Sequence, residues 1–360
     1  VEGVGEIDLE DLGYDASFAA SRTELGLDGY TLARVITEHR GAYRVRDAQR
    51  EYLAAVTGKQ IHGARAREDY PAVGDWVALK EIGDGRAVIH RVLPRKSVLK
   101  RKYSGRYASQ VIAANIDIAF IVESSGSGFS LNRAERYLAL AMDSGIEPII
   151  VLNKIDLIPE AETQAKVSQL QERFKGTDVI KTSAVAANGL DEIAALITRG
   201  ETCCLLGSSG VGKSTLINRL LGEETIKTAT ISAHTGKGKH TTTARQMYFL
   251  AGGGILIDNP GMREIGIMDA QAGIEDAFSE IALLARECKF ADCTHAHEPG
   301  CAVREAVARG ELDEDMYANY LKLSREAEYY EMTTLEKRRK DQEFGRFIRK
   351  AKKDRKKQGS

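Results

Sequence analysis

Residues 207–215 read GSSGVGKST, two glycines bracketing a turn and a lysine–serine pair opening a helix. It fits G-x-x-x-x-G-K-[ST], with Gly207, Gly212, Lys213 and Ser214 at the defining places. Glycines let the backbone N–H groups of Ser208, Ser209, Gly210 and Val211 converge on phosphate oxygens. The helix that follows, beginning near Thr215, turns its positive end toward the same oxygens. Lys213 would reach the β- and γ-phosphates, and Ser214 would ligate Mg²⁺. TCCLLG just before the loop has strand character and GKSTLINRLLG reads as a helix, which is the setting this motif requires.

On the N-terminal side, NKID (153–156) closes a buried strand, EPIIVLNKID. A carboxylate at the edge of a nucleotide pocket accepts from both N1–H and the exocyclic amine of guanine, a pairing adenine cannot make. Asp156 takes that role, and Asn153 and Lys154 brace the loop and the base. A wrong base would leave the carboxylate unpaired, which makes the discrimination strong. TSA (182–184) ends the next strand, where Ser183 and Ala184 offer supporting contact to the base. On the C-terminal side, DNPG (258–261) closes another strand. Asp258 is assigned a water-mediated Mg²⁺ contact and Gly261 a backbone N–H to the γ-phosphate.

These are the guanine-nucleotide motifs of a P-loop GTPase, and their order is informative. NKxD and TSA precede the phosphate loop and DxxG comes last, whereas the phosphate loop usually leads. The sequence therefore reads as circularly permuted, with the old termini joined near 197–202 and a new opening after DxxG. With a β-barrel before it and a Cys/His module after it, the chain resembles the RsgA family of ribosome small-subunit-dependent GTPases over about residues 30–335. RKSVLKR (95–101) and KHTTT (239–243) also look like that family. The resemblance implies GTP hydrolysis stimulated by the 30S subunit, a role in its late maturation, and 16S rRNA, GTP and GDP as partners. A different-class alternative is a GTP-dependent RNA-binding or placeholder protein in which hydrolysis is incidental. A permuted GTPase serving the large subunit is a closer alternative, and the barrel and the Cys/His cluster argue against it.

GKGKHTTT (236–243) lies between the phosphate-loop helix and the strand leading to DNPG, where a GTPase keeps switch I. One of Thr241, Thr242 and Thr243 is expected on Mg²⁺, and spacing alone does not choose among them. Met262 follows DxxG where many GTPases hold a water-orienting glutamine, and a thioether cannot position a hydrolytic water. His240 is thus the candidate catalytic residue. The plainer reading is that it contacts rRNA or solvent.

The five cysteines make no disulfide framework. Cys203 and Cys204 read as buried strand residues. Cys288-x4-Cys293-x-His295-x5-Cys301 offers three thiolates and one imidazole, a closed tetrahedral set for one structural Zn²⁺. His297 is the competing ligand.

Residues 1–28 read as an acidic, loosely attached arm, and 29–100 as a small barrel. Its five strand-like runs fit an OB-fold, although pattern alone does not exclude an SH3-like barrel. Trp76 reads as a core plug rather than a base-stacking platform. Alternating buried strands and amphipathic helices over 101–270 predict a largely parallel sheet covered on both faces. Residues 271–335 form the helical zinc module and 336–360 a basic tail. The expected fold is therefore multidomain α/β.

The net charge of −1 hides an asymmetry. Twelve Lys/Arg stand against three acids from Lys337 to Lys357. PRKSVLKRKYSGRY (94–107) has six Lys/Arg and no acid, with Tyr103 and Tyr107 expected to pack or to stack on bases. Such runs on an acidic body suit rRNA phosphates, or are simply solvated. No apolar run approaches a membrane span and the acidic N-terminus is no secretory signal, so a cytoplasmic monomer without membrane contact is expected.

Overall fold

The computed structural model describes residues 7–39, 41–58, 67–102, 109–126, 128–222, 245–258 and 271–331. The chain divides into two compact units, Val1–Gly266 and Ile267–Ser360.

The first unit begins with five strands: β1 (Thr31–His39), β2 (Ala42–Arg46), β3 (Glu51–Val56), β4 (Trp76–Gly83) and β5 (Arg86–Val92). They follow the order β1-β2-β3-β5-β4, and β4 returns to pair with β1. Alternation in β2 and β3 sends Tyr43, Val45, Tyr52 and Ala54 inward against Val35, Val77, Leu79 and Ile89. A closed five-stranded barrel with β3 parallel to β5 is the OB arrangement, which settles the choice the pattern left open.

The acidic arm is not loose from Ile7 onward. Helix α1 (Ala16–Glu24) is capped by Asp15, whose carboxylate accepts from the Ser17 and Phe18 N–H groups. Leu12, Phe18 and Leu27 are buried around Trp76, itself fully buried as the expected plug. Arg199 pairs with Asp8 (2.7 Å) and Asp11 (2.5 Å), tying the arm to the loop where the permutation joins the old termini. Beneath it Arg34 is 1 % exposed and donates to the carbonyls of Leu12 (2.5 Å), Gly74 (3.1 Å) and Asn115 (2.9 Å). Arm, barrel and the chain leading out of the barrel thus share one buried guanidinium. The apolar residues spaced through an acidic segment supply the burial that its composition conceals.

The basic stretch after the barrel has structure of its own. It enters a hairpin, β6 (Val98–Lys102) with β7 (Ser109–Ala114), that straddles position 100. Leu99 and Val111 through Ala114 are buried there.

Six strands then form the nucleotide-binding sheet: β8 (Ile118–Ser124), β9 (Glu147–Asn153), β10 (Val179–Thr182), β11 (Thr202–Leu206), β12 (Arg245–Phe249) and β13 (Ile255–Asp258). Their order is β10-β9-β8-β11-β13-β12, parallel except for β12. Near-continuous burial along β8, β9 and β11 is the mark of strands covered on both faces. Cys203 and Cys204 are fully buried in β11. The covering helices are α2 (Leu131–Asp143), α3 (Glu160–Arg173), α4 (Leu190–Ala195) and α5 (Lys213–Leu221). One pairing was not foreseen: β12 also pairs with β1, so barrel and nucleotide-binding sheet form one eleven-stranded sheet.

The second unit, among its described residues, holds α6 (Gln271–Ala277), α7 (Ser279–Ala285), α8 (Ala302–Ala308) and α9 (Glu314–Glu331). Ile274, Phe278, Ile281, Val303 and Leu323 are among its buried apolar residues, with Phe278 edge-on to Tyr320. No described helix is long and apolar enough to cross a membrane.

Candidate functional site

The phosphate loop connects the end of β11 to the start of α5, so Gly207 through Gly212 lie at the C-terminal edge of a parallel sheet. Gly207 has φ +147°, and a Cβ there would stand 2.5 Å from the Val122 carbonyl. Gly212 has φ +106°, and its Cβ would land on the Asn153 side-chain nitrogen. Both positions need glycine for conformation and for space. Ser208, Ser209, Gly210 and Val211 span the turn, and Ser214 and Thr215 occupy the first turn of α5. Lys213 Nζ donates to the carbonyls of Gly207 (2.7 Å) and Ser208 (2.8 Å), folding its ammonium over the loop.

NKID is brought against this loop from β9. Asn153 Nδ2 donates to the Val211 carbonyl (2.9 Å), and Lys154 Nζ donates to Gly210 (2.6 Å). Lys154 has φ +64°, left-handed backbone that a non-glycine residue seldom adopts, and Ser125 Oγ donates to its carbonyl (2.6 Å). Asp156 accepts from the Ser183 hydroxyl at 2.5 Å, so TSA orients the carboxylate that the sequence assigns to the base. Arg219, on α5, donates to the Ala184 carbonyl (2.9 Å) and links the phosphate-loop helix to the same corner. Sequence reading missed that contact. Its signal was a lone cation on the mostly apolar later turns of KSTLINRLL.

Asp258 ends β13 beside this assembly. Burial pushes its carboxyl above the ordinary range, and the charge of Lys213 opposes that shift. A carboxylate whose ionisation is costly is one that a nearby divalent cation would stabilise. Asn153 Oδ1 is buried and has no partner among the described residues, an acceptor left open in a pocket assigned to a donor-rich base. These residues fit a magnesium–nucleotide complex. Sequence reading also missed Glu123 on β8, fully buried and paired with Arg133 of α2 (Nε···Oε1 2.9 Å). His240, Thr241, Thr242, Thr243, Gly261, Met262, Tyr103, Tyr107 and the basic tail lie outside the described residues.

In the second unit, the ligand atoms of Cys288, Cys293, His295 and Cys301 all lie within 4.8 Å of one another. His295 Nδ1 is 3.5 Å from both Cys288 Sγ and Cys301 Sγ, and those two sulfurs are 3.9 Å apart. A tetrahedron built on Zn–S of about 2.3 Å and Zn–N of about 2.0 Å has edges of about 3.8 Å (S···S) and about 3.5 Å (S···N). Cys288, His295 and Cys301 match those edges, Cys293 completes the set within 4.8 Å, and three thiolates with one imidazole suit a structural Zn²⁺. Tyr317 donates to the His295 carbonyl (2.6 Å) and holds this residue at φ +59°. His297 is not among the four; its backbone N–H donates to Glu298 (3.1 Å).

A protein-family model described as RsgA GTPase matches residues 92–268. The chain is 45% identical over 302 residues to the small ribosomal subunit biogenesis GTPase RsgA 2 of Lactiplantibacillus plantarum, an alignment covering 84% of this chain and 85% of that protein. It is 47% identical over 279 residues to the small ribosomal subunit biogenesis GTPase RsgA of Methanosarcina acetivorans, covering 76% and 75%. The crystal structure of YjeQ from Thermotoga maritima superposes with TM-score 0.61 at 29% identity, over 81% of this chain and 96% of that one. YloQ, described as a circularly permuted GTPase, has the same fold, with TM-score 0.59 at 24% identity over 84% and 97%.

Proposed function

The chain belongs to the RsgA family of circularly permuted GTPases, and on that premise we propose that it hydrolyses GTP on the small ribosomal subunit, late in that subunit's maturation. The observation that carries the reading is the convergence of three separated segments on one pocket, 153–156, 183–184 and 207–215. Asp156 reads the guanine edge, held in place by Ser183, while Asn153, Lys154 and Ala184 flank the base. The N–H groups of Gly207 to Gly212 cradle the phosphates, with Lys213 against the β- and γ-oxygens, Thr215 at the helix start and Gly261 on the γ-phosphate. Ser214, one of Thr241, Thr242 and Thr243, and, through water, Asp258 would hold Mg²⁺, which when bound would supply charge neutralisation at the phosphate oxygens. His240 orients the attacking water in line with the γ-phosphate, in the place that Met262 cannot fill. Cys288, Cys293, His295 and Cys301 hold a zinc ion that staples the C-terminal helices and takes no part in the reaction.

The barrel (29–100), the basic run 94–107 and the basic tail (336–360) face 16S rRNA with phosphate-contacting Lys/Arg. The acidic arm (1–28), GTPase domain (101–270) and zinc domain (271–335) complete a monomer that works in the cytoplasm. Nucleotide-dependent co-sedimentation tests the reading. The protein should pellet with 30S subunits in the presence of a non-hydrolysable GTP analogue, leave them with GDP, and lose binding steeply as salt rises. Equal pelleting in both nucleotide states would contradict it.

A further inference from the structure

The shared edge between barrel and GTPase sheet places two rows of residues across consecutive strands. On one row, Arg44 of β2 pairs with Thr37 of β1, Thr37 with Gln246 of β12, and Gln246 with Asp258 of β13. The adjacent row runs Tyr43–Glu38–Arg245. Neighbouring strands lie about 4.8 Å apart, so the barrel backbone at Thr37 stands only about 10 Å from that of Asp258. Arg44 is exposed on the barrel surface at the far end of the same row.

The strand β12 is held to the barrel at both ends. Arg245 Nη1 meets Glu38 Oε2 at 2.9 Å, with side chains 14 % and 25 % exposed. At the other end Phe249 packs against the buried cluster around Trp76, and the Arg46 guanidinium lies 5.5 Å from its ring centre. A one-residue slip of β12 would send every side chain to the opposite face, so the strand moves with the barrel or stays in register. The other edge of β12 carries β13 and therefore Asp258. A cleft lined by Tyr43, Tyr70, Pro71 and Gln110 opens onto Glu38, which makes this carboxylate reachable by a ligand on the barrel.

We propose that Glu38 and Arg245 are positioning residues for GTP hydrolysis: their ion pair locks β12 to the barrel, so that RNA bound on the barrel sets the placement of the Asp258 carboxylate. The proposal rests on the functional reading above, since it takes the barrel as an RNA-binding surface. Glu38 and Arg245 touch neither nucleotide nor phosphate in this account. They act by carrying a strain applied on the barrel strands β1 and β2 across β12 to β13 in the nucleotide-binding half of the sheet.

The test measures GTP turnover against 30S concentration for the wild type, Glu38→Arg, Arg245→Glu and the charge-swapped double variant. Each single reversal should lower the stimulated kcat by about tenfold while the half-saturating 30S concentration changes by less than about twofold. The double variant should recover most of the loss, which ties the effect to the pair itself, and equal melting temperatures across the variants exclude a merely structural defect. Unchanged stimulation in the single variants would overturn the proposal. So would a raised half-saturating concentration at full kcat, which would make the pair an RNA contact, or a double variant no better than either single. Should a reversal fail to fold, Glu38→Gln and Arg245→Gln decide the matter by a smaller kcat loss, about threefold, or its absence. A wild type that 30S subunits do not accelerate would instead overturn the functional reading.

Discussion

The Ser183 hydroxyl donates to Asp156 at 2.5 Å, joining two segments that lie 27 residues apart in the chain. The bond holds the carboxylate where a guanine edge would meet it. Asp156→Asn should weaken GTP binding by roughly a hundredfold or more, and should favour xanthosine triphosphate, whose donor and acceptor pattern the amide complements. Ser183→Ala should weaken GTP binding about five- to tenfold without changing the base preference. Calorimetric titration with the two nucleotides measures both effects.

Glycine at 207 and 212 is a matter of space as well as backbone angle. Gly212→Ala should push Asn153 off the phosphate loop and abolish GTP binding, and Gly207→Ala should do the same by displacing Val122. Gly29→Ala is the control, since nothing lies within 4 Å of a Cβ there. It should bind GTP normally and melt within about a degree of the wild type, because surface changes of this kind stay near zero.

The metal cluster makes a choice between two histidines. His295→Ala should lose the zinc and melt the C-terminal helices, since structural zinc contributes on the order of 10 kcal/mol to small modules. His297→Ala should keep one zinc per chain, because its ring is not among the four ligands. Metal analysis and circular dichroism of the two variants settle it. Acidification should release the metal as the thiolates take up protons.

Burial holds the Asp258 carboxyl above its ordinary value of 3.8, so the native protein binds that proton more tightly than the unfolded chain does. Its contribution to stability is therefore full below 3.8 and is lost as the pH climbs through the raised value. At neutral pH the nucleotide-free protein keeps a costly buried charge, offset in part by Lys213. Asp258→Asn should raise the melting temperature at pH 7, with the gain shrinking as the pH is lowered toward about 4, while magnesium-dependent GTP hydrolysis is lost. A lower melting temperature at pH 7 would contradict this sign.

The nucleotide pocket was legible because its motifs are short and each has a local physical reason, as Gly212 and Asp156 illustrate. The five barrel strands were legible from alternation, and the parallel β3–β5 pairing in the closed barrel decided between two barrel types. Three features were not legible. The β6–β7 hairpin hides in a run of lysines and arginines whose charge masks the alternation around Leu99 and Val111. The docked arm hides because its acidic residues outnumber the few apolar ones, Leu12, Phe18 and Leu27, that bury it. The junction of β1 with β12 joins residues about two hundred positions apart, and no local pattern on either strand announces a partner so distant.

Multiple-turnover GTP hydrolysis, with and without small subunits, decides whether this chain is a ribosome-stimulated GTPase. Addition of 30S subunits should raise kcat at least about tenfold, 50S subunits should not, and His240→Ala should remove the acceleration while leaving GTP affinity intact. A rate that 30S subunits leave unchanged would contradict the account and point to a protein whose bound nucleotide, rather than its turnover, matters.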